Sequence, residues 1–109
     1  MSEQLNKLAK NRIESKYTNP NVRSELEKLS YLIRRNAGGR IRNVNANLAK
    51  TYTGDFYGLL QEIGIEAKFH WITMRVNNLK CSMDYDGKTT AVLIPNFNLI
   101  EKHVNSIKV

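Results

Sequence analysis

The spacing of apolar residues changes period part-way along the chain, and this change constrains the fold more than any other feature. Before Gly64 the apolar residues recur at helical intervals. Val22, Leu26, Leu29 and Ile33 follow one another at four, three and four residues, the stripe of a helix with one buried face. Asn19 supplies an N-cap ahead of Pro20 at the first helical position. This helix is expected to end near Ala37, where Gly38 and Gly39 can take the positive-φ conformation that stops helices.

Three more helices are expected in the same half. Leu5, Leu8, Ala9 and Ile13 have helical spacing before the break at 15–20. Ile41, Val44, Leu48 and Tyr52 define another helix, and Phe56, Leu59, Leu60 and Ile63 a short one between the Thr53-Gly54-Asp55 turn and Gly64. Beyond Gly64 the pattern shifts. Glu66 to Val76 is rich in aromatic and β-branched residues, and Leu79, Cys81, Met83 and Tyr85 alternate with polar neighbours. Asn77-Asn78 and Asp86-Gly87 are turn formers, and Thr89 to Ile94 makes a third strand that Pro95 ends. Phe97, Ile100, Val104 and Ile107 outline a last helix. The expectation is an α+β fold in which about four N-terminal helices pack on a three-stranded antiparallel meander followed by a C-terminal helix.

At 109 residues this is one compact domain, 1–109, large enough to hide roughly two-thirds of its unfolded surface without staples. The single Cys81 forms no intramolecular bridge, and His70 and His103 are too few to complete a structural zinc site. A reducing, cytoplasmic setting is expected. No apolar run approaches the roughly 20 residues of a membrane span, and no hydrophobic core of a signal peptide follows the first charges.

The charge is concentrated. Of the formal net +7, residues 1–52 hold all seven, with eleven basic and four acidic side chains, and Lys28 to Gly54 carries six basic residues and no acid. Such a field attracts polyanions, both by Coulomb potential and by release of their condensed counterions. Within it, Arg34, Arg35, Gly38, Gly39, Arg40 and Arg42 form a helix-Gly-Gly-helix corner. The glycines permit close approach to a ligand, a helix start presents free N–H groups, and the guanidiniums grip phosphate bidentately. Asn43, Asn47 and Lys50 extend this surface, and asparagine and arginine can also reach base edges. A solvated helix corner would have the same residues, but not the acid-free run to Lys50. The glycine spacing does not make a P-loop.

Other groupings carry less. Leu48 to Leu59 loosely matches a helix-turn-helix, yet its second helix has Asp55 and Glu62 and no basic residue, which a duplex groove would repel. Phe69 and Trp71 could stack unpaired bases; core packing is the expected use, with Trp71 buried against the helices. Asp84, Asp86 and Glu101 around Mg²⁺ would be the strongest catalytic arrangement, but carboxylates beside a tight turn usually serve the turn.

The expected function is therefore a small, non-catalytic accessory protein binding DNA or RNA, with no cofactor, no metal and no membrane. The alternative is a protein-interaction or assembly module whose basic face docks an acidic protein partner, such as a phage-type structural or inhibitory subunit. Thirteen Asn, ten Lys and nine Ile fit coding from an A·T-rich genome, as in many bacteriophages and low-G+C bacteria, a compositional hint about origin only. Oligomeric state is left open by the sequence.

Overall fold

The computed structural model describes residues 16–35 and 39–107, with the side chains of Ile33 and Arg35 outside the description. The expected helix over Leu5 to Ile13 and the residues Asn36, Ala37 and Gly38 also lie outside the described residues. The rest is a mixed helix and sheet fold. A helical stretch at 16–18 leads into α1 (Pro20–Arg35), followed by β1 (Arg40–Asn43), α2 (Ala46–Thr51) and α3 (Phe56–Glu62). A 3₁₀ turn (Ala67–Phe69) runs into α4 (His70–Val76); a second (Ser82–Asp84) precedes β2 (Ala91–Ile94) and α5 (Phe97–Ser106).

Helix starts follow the local chemistry. The Asn19 side chain accepts from the amides of Asn21 and Val22 at 2.8 and 3.4 Å, capping α1 as expected. Asn45 caps α2 through the Leu48 amide (2.7 Å), Asp55 caps α3 through Gly58 (3.0 Å), and Asn96 caps α5 through Asn98 and Leu99. The apolar stripes then bury as their spacing requires: Val22 and Leu26 of α1, Phe56, Leu59 and Leu60 of α3, and Ile100 and Val104 of α5 all reach the core.

Two stretches depart from the expected pattern. Glu66 to Val76 is not a strand but the 3₁₀ turn and α4, in which His70, Ile72, Thr73, Met74 and Val76 are all buried. A short helix covered on nearly every side has no polar stripe, so its 3.6-residue period cannot show in the sequence. Asn77-Asn78 accordingly ends this helix, with Asn78 at φ 65°, instead of turning a hairpin. Leu79 to Tyr85 is an irregular connection through the second 3₁₀ turn. Tyr85 is buried but Met83 is 77% exposed, so the alternation there does not mark a pleated face. The described residues thus hold a two-stranded antiparallel sheet in place of a three-stranded meander.

The second departure is the expected helix from Ile41 to Tyr52. Its first turn is β1, paired with β2 in the register Arg40 with Ile94, Ile41 with Leu93, Arg42 with Val92 and Asn43 with Ala91. Asn45 then starts the helix one turn later than the apolar spacing implied. Both readings share Val44 as a core residue, which is why spacing alone did not separate them.

Aromatic and ionic contacts join the layers. Tyr17 meets Phe69 edge-on at 5.5 Å, and Phe69 stacks on Phe97 at 4.3 Å, tying the entry to α1, α4 and α5 together. Burial, with the nearby Glu101 and Glu66 charges, pushes the Tyr17 phenol up to about 12. The Arg75 guanidinium of α4 donates from Nε to Glu27 of α1 at 2.8 Å and from a terminal nitrogen to the other carboxylate oxygen. This hydrogen bonding, aided by the Arg75 and Arg34 charges and opposed by burial, holds the Glu27 carboxyl below its ordinary 4.5. A lowered carboxyl pKa adds stability that is complete above the ordinary value and disappears as pH falls through the lowered one. Stability should therefore decline on acidification below pH 4.5. Glu27→Gln should flatten part of that decline and lower stability at neutral pH by about 1 kcal/mol or less, because the pair is partly solvated. Thermal melts between pH 3 and 7 check both effects.

Candidate nucleic-acid interface

The two departures relocate the basic corner. Arg40 and Arg42 stand on a strand, two residues and roughly 7 Å apart by strand rise, and not on the first turn of a helix. Directly opposed residues of an antiparallel pair share a face, so Arg40 and Arg42 lie on the face of Ile94 and Val92, while Ile41 and Asn43 share the other with Leu93 and Ala91. All four β1 residues are exposed, whereas Val92 and Ile94 are buried. The arginines therefore extend from the rim of the core into solvent.

Gly39 has a structural use. A Cβ there would sit 2.7 Å from the Ile94 carbonyl oxygen, so the missing side chain admits the neighbouring strand and not a ligand. No helix start follows it, and the expected cradle of glycine and helical N–H groups at the corner is replaced by a strand pair. Gly38 and the Arg35 side chain lie outside the described residues.

Four cations of the acid-free stretch are exposed: Arg34, Arg40, Arg42 and Lys50. Arg34 lies near the end of α1; among the described residues it makes long hydrogen bonds of 3.5 Å to Asn78 Oδ1 and the Arg75 carbonyl, and its charge helps lower the Glu27 carboxyl. Lys50 is in the last turn of α2, one element on from β1; Asn47, one turn earlier on α2, and Asn43, at the end of β1, are exposed too. Among the described residues none of Arg34, Arg40, Arg42 and Lys50 has a carboxylate within ion-pair distance. Elsewhere Lys28 pairs with Glu25, Arg75 with Glu27, and Lys68 with both Glu66 and Glu101 at 3.8 and 3.0 Å.

The helix-turn-helix resemblance acquires no basic face. The α2 and α3 helices do follow one another across a turn, but α3 offers solvent Gln61 and Glu62, and the Tyr52 hydroxyl bonds Glu62 at 3.3 Å. Trp71 is half-buried on α4, not fully covered, with the Arg23 guanidinium 5.1 Å above its ring. It lines a cavity of about 320 Å³ with Tyr17, Arg23, Tyr57 and Lys68. Sequence reasoning missed this grouping, because Arg23 and Trp71 lie 48 positions apart and on elements of which one was read as a strand.

Of the residues weighed as ligands or catalysts, His70, Asp86 and Glu101 have partners within the fold. His70 is buried with Nε2 2.8 Å from the Ile65 carbonyl. Asp86 accepts from the Lys88 and Thr89 amides, both at 2.8 Å, and these bonds hold its carboxyl below the ordinary range. Glu101 is held by Lys68, and no cluster of three or more His, Cys, Asp or Glu that could hold a metal occurs among the described residues. No helix among them is long and apolar enough to cross a membrane. Comparison with protein-family models, curated proteins and solved structures finds no match for this chain.

Proposed function

We propose that this chain is a small, non-catalytic, cytoplasmic nucleic-acid-binding accessory protein, which contacts phosphates through Arg34, Arg40, Arg42 and Lys50, with Arg35, Asn43 and Asn47 beside them. One observation carries the reading: these four cations are exposed and, among the described residues, none has a carboxylate within ion-pair distance, in a stretch of 27 residues, Lys28 to Gly54, that contains no acid. Exposed guanidiniums keep their full bidentate capacity for phosphate oxygens. With a strand and not a helix directly after Gly39, affinity rests on charge, so binding should be strongly salt-dependent and only weakly selective for sequence.

Titration of a labelled duplex at several ionic strengths tests this. If about four to six phosphates are neutralised, log K should fall against log salt with a slope near −4 to −5. No binding to DNA or RNA at low salt would remove the reading. That result would leave the alternative, an assembly or inhibitory module of phage type docked through the same basic face to an acidic protein.

A further inference from the structure

The two edges of the small sheet are treated differently. The Val44 amide donates to the Thr90 carbonyl at 2.8 Å, so residues 44 and 90 form a hydrogen-bonded pair. Antiparallel ladders alternate. Arg42 with Val92 and Arg40 with Ile94 therefore exchange bonds, while the N–H and C=O groups of Ile41 and Asn43 point away from β2, and those of Leu93 and Ala91 away from β1. On the β2 side the Asn77 side chain meets Leu93, its amide donating to the Leu93 carbonyl and its oxygen accepting from the Leu93 N–H, both at 2.8 Å. Asn77 thus stands in for a neighbouring strand. On the β1 side nothing among the described residues bonds Ile41 or Asn43, and Ile41 is 58% exposed.

An open edge of this kind is a template for one more strand. Its charge selects what can add. Arg40 and Arg42 project to one side, and a basic strand or a second copy would meet them unfavourably: the antiparallel self-pairings centred on Ile41 or on Arg42 put arginine opposite arginine. An acidic strand would place a carboxylate opposite each guanidinium, with an apolar residue between them on the face of Ile41 and the half-buried Leu93. From this complementarity we infer that β1 is a docking edge for an extended acidic peptide segment of a partner protein, of the alternating form acid-apolar-acid, added as a third strand through the Ile41 and Asn43 backbone. The inference does not depend on nucleic-acid binding, although peptide and nucleic acid would compete for Arg40 and Arg42.

The test uses the full chain without nucleic acid and a capped octapeptide alternating glutamate with valine. Amide NMR should show the Ile41 and Asn43 N–H groups shifting and becoming protected from exchange, and a peptide with lysine replacing glutamate should fail to bind. Ile41→Pro removes an outward N–H that the β1–β2 ladder does not use, so the remaining spectrum should stay native while peptide affinity falls about tenfold. Should that variant misfold, N-methylating the peptide on alternate residues supplies the same comparison: one phase should abolish binding and the other leave it. Equal binding by both N-methylated phases would reduce the contact to charge alone and overturn the strand addition. So would absence of peptide binding, peptide-induced shifts confined to residues outside β1, or self-association of the chain through β1.

Discussion

Arg40→Glu combined with Arg42→Glu should weaken nucleic-acid binding about tenfold to a hundredfold, and flatten the salt slope by about 2. Lys80→Glu with Lys88→Glu changes the net charge equally and should cost less than about threefold. Both lysines are exposed, but they stand on the connection between α4 and β2, in the half of the chain whose charges balance. A field acting from the whole molecule would weaken the two variants alike, whereas a local phosphate site penalises only the arginine pair. Neither change should disturb folding by more than about half a kcal/mol, because all four side chains are exposed and without ion pairs among the described residues. Anisotropy titrations and thermal melts on the same preparations separate the two effects.

Among polar side chains, Asn77→Ala should have a large effect on stability. The Asn77 side chain makes three hydrogen bonds, to the Thr73 carbonyl at 2.7 Å and to the Leu93 carbonyl and amide at 2.8 Å, joining the end of α4 to the middle of β2. Truncation leaves the Leu93 donor and acceptor without partners at a partly buried site, at a cost of about 2–3 kcal/mol, or about 10 °C or more in Tm. Asn78→Gly should do little or stabilise slightly, since Asn78 already sits at φ 65°, where glycine carries no steric penalty. Two adjacent asparagines that look alike in sequence should therefore differ by about 2–3 kcal/mol in melts or urea titrations. Near-equal effects would mean that the amide bridge does not secure the sheet.

What the sequence made legible was whatever announces itself locally. Asn19-Pro20, Asp55 and Pro95 mark element ends by their own backbone chemistry, and α1, α3, β2 and α5 lie where those signals put them. α4 was hidden because its burial on nearly every side erased its polar stripe. β1 was hidden because Ile41 and Val44 lie at a helical interval of three and all four β1 residues are exposed, so no alternating apolar face marks the strand; only pairing with β2, some 50 positions on, reveals it. The same split holds for the site. Charge density in Lys28 to Gly54 is a sum over residues and is readable without a fold. The role of Gly39, whose missing Cβ accommodates the Ile94 carbonyl, and the pairing of Asn77 with Leu93 depend on distant backbone and could not be read.

Amide chemical-shift mapping with a short duplex and a short single strand tests the localised basic site most directly. Shifts should concentrate at Arg34, at Arg40 through Asn43 and at Asn47 through Lys50, and grow as salt is lowered, with the Trp71 indole resonance unmoved. Shifts centred on Arg23, Tyr57 and Trp71, or spread evenly over the C-terminal half, would contradict it.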